Sequence, residues 1–219
     1  MQYPVIAIDG PSASGKGTVA ARVAAALGWA YLDSGALYRV TALYAREQGA
    51  AWDDEAVVAA LAAALPVRFV DGRVELDGRD VSSDIRAEEI GMGASQVAAL
   101  PAVRAALLQR QRDFAVHGGL VADGRDMASV VFPEAALKVF LTASAEVRAQ
   151  RRALQLGVPL AGEAYERIVA DIEKRDEADR NRAVAPLKPA ADAHMLDTSD
   201  LSIEESVKKV LDWYRQIEN

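Results

Sequence analysis

Nine residues near the N-terminus constrain this chain's fold more than any others: Gly10-Pro11-Ser12-Ala13-Ser14-Gly15-Lys16-Gly17-Thr18. Val5–Ile8, a short β-branched apolar run, precedes them and is stopped at Asp9-Gly10-Pro11, as expected of a buried strand entering a turn. Val19, Val23, Ala26 and Leu27 follow at helical spacing, with Gly28 as a C-terminal stop. Strand, glycine loop, helix is the order a phosphate loop needs, because backbone N–H groups and the helix N-terminus then converge on the anion. Lys16 adds a full positive charge within reach of the bridging and terminal phosphates. A turn that only capped a helix would not require this lysine. The magnesium-contacting hydroxyl usual directly after the lysine is replaced by Gly17, with Thr18 one place later. A magnesium ion accompanying ATP is therefore expected to be held mostly by nucleotide and water, and no side chain is assigned as a metal ligand.

The remaining chain reads as an α/β layer built around that loop. Ala30–Leu32, Leu120–Ala122, Leu137–Leu141 and Met195-Leu196 are short apolar runs, each followed by a polar turn and helical sequence, the pattern of parallel core strands. With the first strand they predict a doubly wound, mainly parallel five-stranded sheet with helices on both faces. Helical patterning is expected over 36–48, 53–65, 85–99, from Pro101 through Arg112 to about Val116, and over 145–156, 163–179 and 203–217. Ser202 and Glu205 stand at capping-box spacing before the last helix. Between Val67 and Val81 apolar and polar residues alternate around Asp71-Gly72 and Asp77-Gly78, predicting a small antiparallel insert. Gly157 and Gly162 bracket a loop suited to a mobile lid. These boundaries give one P-loop domain: a core of 1–34, 118–147 and 183–219, a substrate-binding region with its insert over 35–117, and a lid over 148–182.

Bulk properties narrow the function classes. A net charge of -7, from 25 basic and 32 acidic side chains, argues against a nucleic-acid-binding face, so any bound anion must meet a local basic cluster. There is no cysteine, which excludes disulfides and cysteine-based zinc sites and suits a reducing compartment. The start of the chain has no signal-like pattern, and no apolar run reaches the ~18 residues a membrane span requires. A cytoplasmic, monomeric enzyme acting on small molecules, with no membrane partner, is expected.

A phosphate loop defines kinases, switches and motors alike, so the acceptor has to be read elsewhere. Asp33-Ser34-Gly35-Ala36-Leu37-Tyr38-Arg39 puts polar groups at a strand end and an arginine about one turn into a helix, where it could grip a second anion. A helix cap with a solvated arginine is the alternative. Asp123-Gly124-Arg125-Asp126 offers another arginine and carboxylate at a strand end, or else an ordinary surface turn. Arg148, Arg151 and Arg152 share one helix face before the lid loop, and Arg175, Arg180 and Arg182 follow it. Preorganised cations suit the charge of a transferring phosphoryl group. Arg167 and Asp171 are read instead as an i,i+4 surface ion pair. A nucleotide-dependent switch is disfavoured because the guanine-reading Asn-Lys-x-Asp motif is absent. His117 and His194 are not assigned to catalysis, and Trp29, Trp52 and Trp213 are read as packing anchors.

Five segments in order carry a resemblance: the glycine loop from Gly10, Asp-Ser-Gly-Ala-Leu-Tyr-Arg from Asp33, Ala-Ser-Gln-Val-Ala from Ala94, Ala-Asp-Gly-Arg-Asp-Met from Ala122, and Asp-Arg-Asn-Arg-Ala-Val-Ala-Pro from Asp179. Together they resemble the bacterial cytidylate kinases, nucleoside monophosphate kinases of the P-loop class, over nearly the whole chain. The resemblance implies ATP-dependent phosphorylation of CMP and dCMP in pyrimidine metabolism. It implies that Ser95, Arg104 and Asp126 read the cytosine edge, that Arg39 and Arg125 hold the CMP phosphate, and that Asp179 and Arg182 contact the sugar and its surroundings. Asp33, Ser34 and Tyr38 belong to the same CMP-binding set. Arg151, Arg152 and Arg175 become lid cations beside the transferring phosphoryl group. Without the resemblance, Ser95 and Arg104 would pass as ordinary helix-surface residues. UMP, AMP or shikimate as acceptor stands as the competing expectation.

Overall fold

The structure is a computed structural model that describes residues 3–70, 72–116 and 118–218. Asp71, of the first expected Asp-Gly turn, and His117 lie outside them. In chain order the elements are β1 (Val5–Asp9), α1 (Lys16–Leu27), β2 (Ala30–Asp33), α2 (Ser34–Glu47), α3 (Glu55–Ala63), β3 (Val67–Val70), β4 (Arg73–Leu76) and β5 (Arg79–Asp80). They continue with α4 (Glu88–Val97), α5 (Pro101–Arg112), β6 (Leu120–Gly124), β7 (Leu137–Thr142), α6 (Ala145–Leu156), α7 (Glu163–Asn181), β8 (His194–Asp197) and α8 (Ile203–Glu218).

Five strands form one sheet in the order β2-β6-β1-β7-β8. β1 runs parallel to both β6 and β7, and β7 runs parallel to β8, as expected of the doubly wound fold. The chain places β2 and β6 on one side of β1 and then β7 and β8 on the other. β1 is thus where the winding reverses, and ligands of open α/β sheets bind outside the carboxyl ends of strands at such a point. Every residue of β1 is buried, which explains why its sequence is continuously apolar up to Asp9 rather than alternating.

The chain forms two compact units. One comprises the residues up to Leu32 together with those from Phe114 onward, and the other is Asp33–Asp113. In the first, Ile6, Ile8, Val121, Leu137, Val139 and Leu141 of the sheet pack with Val19 and Val23 of α1 and Val210 and Tyr214 of α8. Trp29 meets Tyr214 edge-on at 5.0 Å, and Trp213 stacks on His194 at 4.7 Å, so both tryptophans serve packing. α8 begins with the foreseen capping box: Ser202 Oγ accepts from Glu205 N at 3.2 Å, and the Glu205 carboxylate accepts from Ser202 N at 2.8 Å. In the second unit, Leu37, Val40, Leu43, Val58, Ile90 and Leu107 make a separate core closed by Val74 and Leu76 of the insert. Trp52 packs on it and donates its indole N–H to Ala42 O at 2.9 Å.

The insert is antiparallel as expected and has three strands, β3-β4-β5. β5 is two residues long, too short for an alternation to show. The helical stretch ending near Val116 begins at Pro101, which occupies the first turn of α5, and it finishes in a 3-10 turn over Asp113–Val116. Met127–Val131, read only as helical sequence after a strand, is a π-helical turn. One expected ion pair is replaced: Arg167 bonds Glu163, one turn before it, rather than Asp171. An acid N-terminal to its cation is the better i,i+4 orientation because it also suits the helix dipole. Among the described residues no single helix is long and apolar enough to cross a membrane.

Candidate active site

The Gly10–Thr18 loop leaves the carboxyl end of β1 and enters α1 at Lys16. Gly10 has no room for a side chain, since a Cβ there would stand 2.0 Å from the Leu141 carbonyl oxygen of the neighbouring strand. Ala13 and Gly15 adopt φ of 57° and 90°, with Ser14 between them. This costs nothing notable for glycine, but about 1–2 kcal/mol for alanine. Gly15 is the N-cap of α1 and supplies no side-chain cap, so the first N–H groups of the helix are left to an anion. Lys16 folds back across the loop and donates Nζ–H to Pro11 O at 3.2 Å.

The end of β6 brings the next groups to the loop. Arg125 donates Nε–H to Asp179 Oδ2 at 2.6 Å, Nη2–H to Ser12 Oγ at 2.9 Å and Nη1–H to Gly124 O at 3.3 Å. Burial favours the neutral form of Asp179, but Arg125, Arg182 and Lys16 outweigh it and hold this carboxyl below the usual range. Burial likewise opposes the charge on Arg125, and Asp179, Asp123 and Asp9 more than restore it. Lys16, Arg125, Asp179 and Arg182, singled out from separate stretches of sequence, therefore converge.

Three buried aspartates underlie this group. Asp9 accepts Met127 N on Oδ1 and Ala128 N on Oδ2, both at 2.8 Å. Burial still raises its pKa to about 6, with Asp126 adding repulsion. Asp123 is buried and accepts the Tyr31 hydroxyl on Oδ2 at 2.6 Å. That same oxygen lies 3.4 Å from where a Cβ on Gly17 would stand. A carboxylate thus occupies the neighbourhood in which the usual post-lysine hydroxyl would be found. Asp126 is buried next along the chain, with its carbonyl accepting from Val130 N and Val131 N.

The arginines around the expected lid separate into distinct situations. Arg148 is buried and makes a bidentate pair with Asp176, at 3.0 and 2.6 Å. Arg151 donates to Ser14 O at 3.0 Å, Thr198 Oγ1 at 3.1 Å and Thr198 O at 2.7 Å. Arg152 donates to Gln155 of its own helix at 3.4 Å. Arg175 is half-buried on α7, directly before Asp176.

Within the Asp33–Asp113 unit, Asp33 accepts Ala36 N at 2.8 Å and caps α2, whose first residue, Ser34, is buried. The capping alternative thus holds for Asp33, whereas Arg39 is not a solvated arginine: it donates to Ile85 O at 2.8 Å from a half-buried position. The Arg104 guanidinium lies over the Tyr38 ring, 5.7 Å from its centre, and donates to Ala98 O at 3.1 Å. Ser95 returns its hydroxyl proton to Gly91 O at 3.3 Å, the back-bond common for a helical serine.

Residues 6–216 match the family model described as cytidylate kinase. The chain belongs to the cytidylate kinase family. It is 68% identical over 213 residues to a cytidylate kinase of Neisseria meningitidis serogroup A, covering 97% of this chain and 98% of that protein. It is 62% identical over 216 residues to a cytidylate kinase of Chromobacterium violaceum, with 99% and 97% covered. Among solved structures, a gluconokinase from Sinorhizobium meliloti matches at a TM-score of 0.51 and 17% identity, over 99% of this chain and 95% of that one, a likeness of fold alone. In this cytidylate kinase family member, Asp9, Tyr31, Asp123 and Asp176 support the site although sequence reasoning assigned none of them. Asp9 and Asp123 did carry a signal, an acid closing an apolar strand at its carboxyl end. Tyr31 and Asp176 carried none, because their partners are remote in sequence.

Proposed function

We propose that the chain transfers the γ-phosphoryl group of ATP to CMP, and also to dCMP, forming CDP and dCDP. One observation supports this beyond family membership. A phosphate loop with its lysine stands beside a second cationic group, Arg125 and Arg182 around Asp179, so donor and acceptor phosphates can each meet their own positive charge. Lys16 and the loop N–H groups from Gly10 to Thr18 hold the ATP phosphates. Arg39 and Arg125 take the acceptor phosphate, with Asp33, Ser34 and Tyr38 around it. Ser95, Arg104 and Asp126 read cytosine, and Asp179 with Arg182 takes the sugar. Arg151, Arg152 and Arg175 add charge near the transferring group. The acceptor oxygen is already ionised at neutral pH, so the residues need only position it in line and stabilise charge, without a general base.

Magnesium fits the loop region. Asp123 supplies hard oxygen chemistry beside Gly17, and no group of three or more ligating side chains occurs among the described residues, so phosphates and water would complete the ligand set. When bound, the ion would neutralise phosphate charge. Residues 35–117 serve as the acceptor-binding region and 148–182 as the lid of one kinase domain. The enzyme works in the cytoplasm as a monomer on small molecules, without nucleic acid or membrane.

A coupled assay of ADP release with each nucleoside monophosphate in turn tests the reading. CMP and dCMP are expected to be preferred, and a clear preference for UMP or AMP would overturn the acceptor assignment. Lys16→Ala is expected to stay folded and lose most turnover; normal CDP formation by it would remove the loop from catalysis.

A further inference from the structure

We propose that Arg148 is a positioning residue of the phosphate loop, locked by Asp176 and acting through the Ser12 carbonyl, a role that rests on reading Gly10–Thr18 as the ATP loop. The side chain has little left to offer a ligand. Its Nε–H goes to Ala143 O at 3.1 Å, Nη1–H to Asp176 Oδ1 at 3.0 Å and Ser12 O at 3.2 Å, and Nη2–H to Asp176 Oδ2 at 2.6 Å. Both members of the Arg148–Asp176 pair are buried, so each fixes the other's rotamer and removal of either leaves an uncompensated charge.

The effect on the loop follows from peptide geometry. No peptide in the described chain is cis, and in a planar trans peptide the C=O and the following N–H point in opposite directions. Arg148 draws the Ser12 carbonyl toward α6, so the Ala13 N–H is sent the other way. Arg151 does the same to the Ser14 carbonyl, at 3.0 Å, which turns the Gly15 N–H likewise. Ala13 and Gly15 are the two residues of the loop at positive φ. Ala13 is also packed against Ala149, Ala153, Ile168 and Ile172 of α6 and α7. Two arginines one helical turn apart thus pull alternate carbonyls outward, and alternate amides are left to form the anion nest before any ligand arrives. Asp176 lies three residues before Asp179 on α7, and Arg125, bound to Asp179, holds the Ser12 hydroxyl. Ser12 is therefore fixed at both its carbonyl and its side chain by two arginine–aspartate pairs.

The test uses the full chain with Arg148→Lys, Arg148→Met and Asp176→Asn. Inorganic triphosphate and ATP binding are measured by calorimetry, KM for ATP and CMP by the coupled assay, and amide exchange at Ala13 and Gly15 in the unliganded protein. Each variant is expected to bind triphosphate and ATP at least tenfold more weakly, with faster exchange at Ala13 and a KM for CMP within twofold of the parent. Variants that melt earlier yet bind triphosphate within twofold of the parent would show a pair that merely joins two helices, and would overturn the proposal. If Arg148→Met is insoluble, Arg148→Lys and Asp176→Asn carry the decision. Lys16→Ala separates the two layers: retained triphosphate binding there removes the loop reading itself, whereas lost binding there with normal binding in the Arg148 variants removes only the positioning role.

Discussion

Arg125 and Asp179, 54 residues apart in sequence, meet through an Nε–H···Oδ2 bond of 2.6 Å. Both groups belong to the proposed acceptor site, so an incoming CMP phosphate and sugar must be accommodated by a pair that is already charged and oriented. Asp179→Asn keeps the shape and removes the charge that restrains Arg125. Hydrogen bonds to charged groups contribute roughly 1.5–3 kcal/mol, so the ratio kcat/KM for CMP is expected to fall by about 10- to 100-fold. KM for ATP should rise by a smaller factor, because Arg125 also holds the Ser12 hydroxyl of the loop. Equal losses toward both substrates would assign Asp179 to the phosphate loop or to folding rather than to the acceptor.

The pair also marks how far sequence reasoning reaches. The loop, the five-stranded sheet and the capping box were legible because each rests on a local pattern: a glycine run between strand and helix, apolar periodicity, Ser202 three residues before Glu205. Arg125 and Asp179 were picked out as separate functional candidates, but their mutual bond is a tertiary fact without a local signature. Arg148 shows the same limit from the other side. Its spacing put it on one face with Arg151 and Arg152, yet spacing cannot tell that this arginine is buried against Asp176 while Arg152 donates to Gln155 of its own helix. For Arg167, acids stood one turn away in both directions, and the helix dipole decided between them.

Tyr31 restrains Asp123 through a 2.6 Å bond to the oxygen facing Gly17. Tyr31→Phe leaves the ring and removes that restraint, so the magnesium dependence of ATP binding, measured by calorimetry, is expected to shift to higher metal concentration by roughly tenfold, the scale of one hydrogen bond to a charged group. ATP binding with excess EDTA should differ little between the two proteins. A magnesium dependence identical to that of the parent would place Asp123 outside the metal's surroundings.

Gly10 faces the Leu141 carbonyl so closely that a Cβ would stand 2.0 Å from its oxygen. The obstacle is backbone, which a rotamer change cannot relieve, so Gly10→Ala must displace either the loop or β7. Overpacking of this kind typically costs about 1–3 kcal/mol, and at this position the strain is passed to the start of the phosphate loop. A lower melting temperature together with weakened ATP binding is expected; unchanged values for both would contradict the close approach.

Asp9 gives a pH signature of unusual sign. Most paired carboxylates have a depressed pKa in the folded protein and stabilise it as pH rises above the acid range. Asp9 is raised instead, from the ordinary 3.8 to about 6, because burial outweighs the two N–H groups it accepts. Between those values the native state holds a proton that the unfolded chain has released, so the contribution of Asp9 to stability declines as pH climbs from about 4 to about 6 and is level above that range. At 1.36 kcal/mol for each pH unit of displacement the decline is at most roughly 3 kcal/mol. Asp9→Asn cannot titrate, and it keeps only one acceptor for Met127 N and Ala128 N. Denaturant unfolding of both proteins at closely spaced pH values checks the sign: parent stability minus variant stability should fall between pH 4 and 6 and be flat from pH 7 to 8. A difference that rises over the lower range would mean that Asp9 is ionised at acidic pH and stabilised by its amide partners more than it is penalised by burial.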